Sequence, residues 1–234
     1  MFDFTARTSL LLGEASMDKL YHSTVAVLGI GGVGGACAEA IVRSGIGRLI
    51  IMDHDTIDIT NINRQLFATH DTIGQSKILV AKKRLTSINP DLKIEVLSEF
   101  YNDETKELLF DLKPDFIVDA IDTVTSKLNL AVECKNRNIP LISSMGTGNR
   151  LDPTKFTLGT IEETSGCGCG LARVMRHELK ARGITGLPVV YSTEYPMSVI
   201  SSTANGRHSP ASISFCPPVA GFIIASYVIK RIIE

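Results

Sequence analysis

The sequence carries almost no net charge, no leader-like start and no paired Cys-x-x-Cys knuckles, and each absence closes off a class of function. A formal charge of −1 gives no global field toward nucleic acid or a membrane surface, so any such contact has to come from a local basic patch. The opening MFDFTARTSLLLGEA lacks a basic stretch followed by a long apolar core, the pattern of a secretory leader, and the expected compartment is the cytoplasm. Five cysteines, an odd count, in a reducing compartment argue against a disulfide scaffold, and without paired knuckles a structural zinc site has little support. No G-x-x-x-x-G-K-[ST] is present, so no P-loop holds a nucleotide. There is no internal repeat and no low-complexity segment. The apolar C-terminal stretch VAGFIIASYVIKRII runs uninterrupted for only about eleven residues, too few to span a bilayer, and is expected to be a buried helix or a subunit contact.

What is present is organised around VAVLGIGGVGGACAEAIVRSGIGRLIIMDHDTIDITNINRQ, residues 25–65. Val25 to Leu28 has strand character, a glycine turn and a helical run follow, and a second strand pattern from Leu49 ends on Asp53. Gly29, Gly31 and Gly34 fit G-x-G-x-x-G in the setting it requires, with a strand before and a helix after. The first glycine permits a tight turn, the second lets a phosphate approach the backbone, and the third lets the helix pack on the sheet. The helix N-terminus then offers free N–H groups and partial positive charge to an anion. Asp53 falls where a ribose-binding acid belongs. By itself the fingerprint names a nucleotide and leans toward NAD or FAD.

The rest of the chain alternates strand and helix through residue 145. Arg7 to Leu20 is a helical lead-in broken at Gly13, and an amphipathic helix over Gly74 to Ser87 ends at Asn89-Pro90. Lys93 to Leu97 is a strand and Glu104 to Asp111 a short helix. FIVDAI at 116–121 has the near-continuous apolar character of a central parallel strand. A helix over Ser126 to Asn138 and a strand over Pro140 to Ser144 follow. The expected fold is α/β, a mostly parallel sheet with helices on both faces continuing into a smaller C-terminal α/β portion. Residues 1–150 are expected to form the nucleotide region and 151–234 a C-terminal region of the same fold. In the latter, Lys155 to Ile161, Pro188 to Ser192 and Met197 to Ser201 are expected as strands. Leu171 to Arg182 is expected as a basic helix stopped by Gly183, and Ala204 to Ala211 as a loop. Ligands of such sheets bind at the carboxyl ends of the strands, where Gly29, Asp53 and Asp122 fall.

The loop after Asp53 argues against a plain dinucleotide. It gathers Asp55, Asn61, Asn63, Arg64 and Gln65, with Lys77 opening the next helix. Arg64 brings a fork of donors matched to phosphate and Lys77 a mobile point charge, more than a pyrophosphate diester needs but suited to a triphosphate. The bland alternative is a solvated loop with an ordinary surface arginine and lysine. A nicotinamide-dependent dehydrogenase would leave the NRQ segment as surplus charge, and a non-catalytic scaffold would not need Arg64, Lys77 and Asp122 together.

GIGGVGG, then Asp-x-Asp with TNINRQ, then Lys77, then DAID at 119–122 resembles the E1-like adenylating enzymes, the superfamily of ThiF and MoeB. The resemblance implies a Rossmann-like ATP site. In it Gly29, Gly31, Gly32 and Gly34 form the floor, Asp53 binds the ribose, and Asp55 and Asn61 lie in the nucleotide loop. Arg64, Gln65 and Lys77 grip the phosphates, and Asp122 coordinates Mg2+ near the α-phosphate. It also implies a homodimer in which Arg7 reaches into the partner subunit's ATP site, with residues 151–234 as the substrate-binding and dimer-contact region. Within the superfamily, RTSLLLGE, MGTGNRLDP at 145–153 and LARVMRHELK followed by YSTEYP are similar to the tRNA threonylcarbamoyladenosine dehydratase branch. That branch implies adenylation of the modification's carboxylate, followed by ring closure with release of AMP. The alternative in the same superfamily is activation of the C-terminal glycine of a small sulfur-carrier protein, with a cysteine desulfurase or sulfur-acceptor protein as a partner.

Two features outside the nucleotide core remain. Arg173, Arg176 and Lys180 are spaced to line one helix face and are the candidate tRNA contacts, against the bland reading of a solvated basic face. Cys167 and Cys169 sit in TSGCGCG, near where carrier-activating relatives hold a reactive cysteine; nucleophile, metal ligand and inert thiol all stay open. Cys37 and Cys134 lie in apolar helical runs and are expected in the core, and Cys216 is expected to be structural.

Overall fold

The computed structural model describes residues 3–198 and 210–234. In chain order its elements are α1 (Ala6–Leu12), α2 (Glu14–His22), β1 (Thr24–Leu28), α3 (Gly32–Arg43), β2 (Arg48–Met52), α4 (Lys77–Ile88), β3 (Lys93–Leu97) and α5 (Lys106–Phe110). There follow β4 (Phe116–Asp119), α6 (Val124–Arg137), β5 (Leu141–Ser144), β6 (Phe156–Thr160), α7 (Gly170–Ala181), β7 (Pro188–Ser192) and α8 (Cys216–Ile233). The strands form one seven-stranded sheet in the order β3-β2-β1-β4-β5-β7-β6. Only β6 runs antiparallel, pairing Phe156 with Ser192 through Thr160 with Pro188. The C-terminal portion therefore extends the same sheet.

Alternation along β1 shows why the sheet is covered twice. Val25 and Val27 enter one core with Ile41 and Val42 of α3, Ile78 of α4 and Ile224 of α8. Ala26 and Leu28 enter the other with Leu109 of α5, Leu130 of α6 and Met175 of α7. Each such Val, Leu or Ile, removed from water, contributes about 1.5–3 kcal/mol.

Helix α8 is longer than the apolar run in the sequence suggested. Pro217 and Pro218 lie inside its first turn, as is allowed where the backbone N–H has no helical partner. By length and composition α8 could cross a membrane, at 18 residues and mean hydropathy 1.4. It is instead a core helix: Ala220, Gly221, Ile224 and Val228 are buried, and a Cβ on Gly221 would lie 2.3 Å from the Val33 carbonyl oxygen of α3. The strand expected over Met197 to Ser201 does not form where the chain is described. Met197 gives its N–H to the Asn149 carbonyl at 2.9 Å, and the preceding Pro196 has no N–H to offer a ladder. Residues 199–201, and most of the loop expected over Ala204 to Ala211, lie outside the described residues.

Candidate active site

The strand order reverses between β1 and β4, the switch point at which open α/β sheets bind ligands. A cavity of about 830 Å³ opens there, over the carboxyl ends of β1, β2, β4 and β5. Gly29, Gly31, Gly32, Asp53, Asp55, Asn61, Arg64, Gln65, Lys77 and Asp122 all line it, so the residues expected at a nucleotide site from the sequence converge on one space. Gly34 lies just beneath, in the first turn of α3.

The glycine loop is shaped by close backbone approach. Gly29 has φ +85°, and a Cβ there would stand 2.6 Å from the Ala120 oxygen, so the loop presses directly on the segment leading to Asp122. Ile30 donates its N–H to Asp53 Oδ2 at 2.6 Å, and Asp53 Oδ1 accepts from the Asp55 N–H at 2.8 Å. The carboxylate at the end of β2 is thereby aimed before any ligand arrives, as an acceptor for vicinal hydroxyls requires.

The polar loop is ordered by its own side chains. Asp58 accepts from the Thr60 N–H while Asn61 Oδ1 accepts from the Asp58 N–H, a reciprocal cap on the short turn Ile59–Asn61. Arg64 Nη1 donates to the Thr60 carbonyl and to Asn63 Oδ1, each at 2.9 Å. The Gln65 side-chain nitrogen faces Gly31. Lys77 is mostly buried, and its ammonium lies 2.6 Å from Asp55 Oδ2. Its N–H also bonds the Asp55 carbonyl at 3.0 Å, so the start of α4 and the loop after β2 are tied at two points. Two cationic groups, hydrogen-bond donors from α3 and an oriented carboxylate on one cavity make a site for a polyanion carrying a sugar.

Asp122 is exposed and lines the cavity, and among the described residues its Oδ1 takes a 3.3 Å bond from Thr123 Oγ1. A free carboxylate facing a phosphate site suits Mg2+, which uses one or two carboxylates together with substrate phosphates. Among the described residues, the group of three that could hold a metal is Asp53, His54 and Asp55. Asp55 there already faces the Lys77 ammonium, which disfavours a second cation.

Arg7 sits exposed on α1 and does not line the cavity of its own chain. On α7, Arg173 and Lys180 are exposed, but Arg176 is partly buried and donates to Thr164 Oγ1 at 2.8 Å. Arg176 thus braces the turn before the helix, and of the expected three-residue basic face Arg173 and Lys180 are left without a side-chain partner among the described residues. Leu171, in the first turn of α7, lines the cavity.

The cysteines are placed by burial. Cys167 is buried in the α7-side core, and its carbonyl accepts from Arg150 Nη2. Cys169 Sγ accepts the Ala172 N–H at 3.4 Å and caps α7. Neither belongs to a metal-holding group among the described residues. Burial pushes the Cys37 and Cys216 thiols up, and Cys134 to about 12, which disfavours the thiolate at all three. Because the Cys169 sulfur is a weak acceptor, Cys169→Ser is expected to hold or raise the melting temperature. Cys169→Ala should lower it, by a cap loss of about 1 kcal/mol or less; a melt in which both variants match the parent removes the capping role.

The sequence reading missed Lys127 and Asp119, both fully buried and ion-paired at 2.9 Å. A signal was available: Lys127 stands in register with Leu130, Ala131 and Cys134, the buried stripe of α6, where a lysine requires a buried partner.

The ThiF family model matches residues 5–234. A tRNA threonylcarbamoyladenosine dehydratase of Bacillus subtilis is 40% identical over 98% of this chain and 94% of its own length. One of Escherichia coli is 31% identical over 96% and 91%. The crystal structure of E. coli tRNA N6-threonylcarbamoyladenosine dehydratase in complex with ATP matches with a TM-score of 0.87 at 29% identity, covering 97% of this chain and 93% of that one. The cavity at the switch point, the motifs that line it and the extent of these matches lead to one conclusion: the chain belongs to the ThiF family.

Proposed function

We propose that this protein is an ATP-dependent tRNA threonylcarbamoyladenosine dehydratase. One juxtaposition carries the reading: Asp53, Arg64, Gln65, Lys77 and Asp122 meet on a single cavity at the switch point, in a chain similar over nearly its whole length to dehydratases of that activity. The carboxylate of the threonylcarbamoyl group attacks the α-phosphorus of ATP and pyrophosphate leaves. A nitrogen or oxygen of the same modification then attacks the acyl carbon, the ring closes and AMP departs, carrying the oxygen lost from the substrate. A carboxylate is a poor electrophile, and adenylation supplies its leaving group. Because both ends belong to one substituent, the second step has an intramolecular advantage.

The roles follow from position. Asp53 accepts from the ribose hydroxyls, and the glycine loop lets the phosphates approach α3. Arg64, Gln65 and Lys77 donate to phosphate oxygens, and Asp122 would hold Mg2+, which would neutralise charge on the phosphates. Residues 1–150 carry the nucleotide, and residues 151–234 carry substrate and dimer contacts. Arg173 and Lys180, exposed on the helix that begins at the cavity wall, supply tRNA phosphate contacts. The protein acts in the cytoplasm as a homodimer.

The deciding experiment is ATP–pyrophosphate exchange with threonylcarbamoyl-modified tRNA and, separately, with a small protein ending in Gly-Gly. Exchange with the tRNA alone is expected. Exchange with the protein alone would replace this reading with carrier activation, and silence with both would remove adenylation altogether.

Arg7, exposed on α1 and away from its own cavity, completes the partner's site in this reading. An Arg7→Ala chain mixed with an Asp122→Asn chain should then regain activity through one intact site per heterodimer. A mixture as inactive as its components would show that no arginine crosses between subunits.

A further inference from the structure

Lys127 is among the largest side chains this protein buries completely, and its bonds converge on the residue before Asp122. Its Nζ lies 2.9 Å from Asp119 Oδ2, both side chains being 0% exposed, and donates to the Ile121 carbonyl at 3.0 Å. Asp119 Oδ1 accepts the Ile121 N–H at 3.1 Å. Asp119 Oδ2 also accepts from Ser143 Oγ at 2.6 Å. Both polar backbone atoms of Ile121 are therefore held by one buried ion pair, and that pair is braced against β5.

A buried ion pair is a poor way to gain stability, because desolvation of the two charges consumes most of their attraction and an apolar replacement often does as well. What this pair does that apolar side chains would not do is fix the Ile121–Asp122 peptide, and with it the direction in which the Asp122 side chain leaves the backbone. Among the described residues, the hydrogen bond to that carboxylate itself is the 3.3 Å one from Thr123. Ser143 links the same unit to β5, whose continuation through Gly146 and Gly148 forms another wall of the cavity. We infer that Lys127 and Asp119 are positioning residues that hold Asp122 at its working position for the adenylation step.

The inference rests on the adenylating role proposed for Asp122, and its test separates the two. The protein is assayed for AMP formation with modified tRNA, with ATP affinity by calorimetry and melting temperature measured alongside. Asp119→Asn combined with Lys127→Met removes both charges together and avoids stranding either one. It is expected to melt near the parent and bind ATP with unchanged affinity, while kcat falls about 10–100-fold, the scale of a misplaced catalytic group. A double variant with parental kcat overturns the inference, as does one whose ATP affinity and kcat fall together, the mark of a loosened fold. Should that variant not fold, Ser143→Ala, which keeps the ion pair and removes only its brace, decides. A lower kcat at unchanged ATP affinity supports the inference, and an unchanged kcat overturns it. Asp122→Asn runs in parallel. If it keeps full activity, the role of Asp122 falls and the inference with it. If it is inactive beside a fully active double variant, only the inference falls.

Discussion

Lys77→Ala is expected to slow adenylate formation about 10²–10³-fold, equivalent to about 3–4 kcal/mol of transition-state stabilisation. The size of the effect follows from placement. The ammonium projects from the first residue of α4 into the cavity, its side chain is only 9% exposed, and Asp55 holds it at 2.6 Å. A cation fixed in advance in a largely dry position does not have to reorganise as negative charge builds on the α-phosphoryl oxygens. The loss should therefore appear in kcat more than in KM for ATP. Stability should change little, because the Asp55 carboxylate left behind is half exposed and solvent screens it. Lys77→Arg is not expected to rescue, since a planar fork replaces a compact charge in a confined position. Single-turnover pyrophosphate release measures this directly, and a loss smaller than about tenfold would contradict the electrostatic role.

Gly34→Ala is expected to abolish ATP binding and destabilise the fold. A Cβ at Gly34 would stand 1.8 Å from the Gly29 carbonyl oxygen and 3.0 Å from its carbon. The obstacle is backbone, so no side chain can rotate away. Either α3 lifts from the glycine loop or the loop closes over the phosphate position. Overpacking of a tight site costs about 1–3 kcal/mol and sometimes more, which in a chain of this size lowers the melting temperature by about 2–4 °C per kcal/mol. Gly170→Ala is the control: nothing lies within 4 Å of its Cβ position, and it should leave both melting and ATP binding unchanged. Parental ATP affinity in Gly34→Ala would show that the loop tolerates a side chain its backbone spacing excludes.

Several parts of this protein are legible in its sequence. β3 spans Lys93–Leu97 as its alternation predicts, and Asn138 ends α6 in the left-handed conformation, φ 55°, where the helix was expected to stop. The glycine loop, the acid after β2 and the polar loop with Lys77 could also be placed, because strand and helix periods and turn chemistry are written in neighbouring residues. The resemblance to adenylating enzymes rested on the same local motifs. Other features depended on partners distant in the chain. That Cys169 caps a helix, that Arg176 bonds Thr164 and that Met197 bonds Asn149 in place of a strand ladder could not be found by spacing.

By itself, then, the sequence determined an α/β chain with a nucleotide loop and a surplus of phosphate donors after β2, since periodicity and short motifs act over a few residues. The tertiary structure alone decided that β6 turns antiparallel at the edge of the same sheet, that α8 spends its apolar length on α3, and that a lysine in the stripe of α6 finds Asp119 and the Ile121 peptide beneath the cavity. Those outcomes depend on which surfaces meet once the sheet has formed. A buried charge in particular shows its purpose only when the group it neutralises is seen beside it.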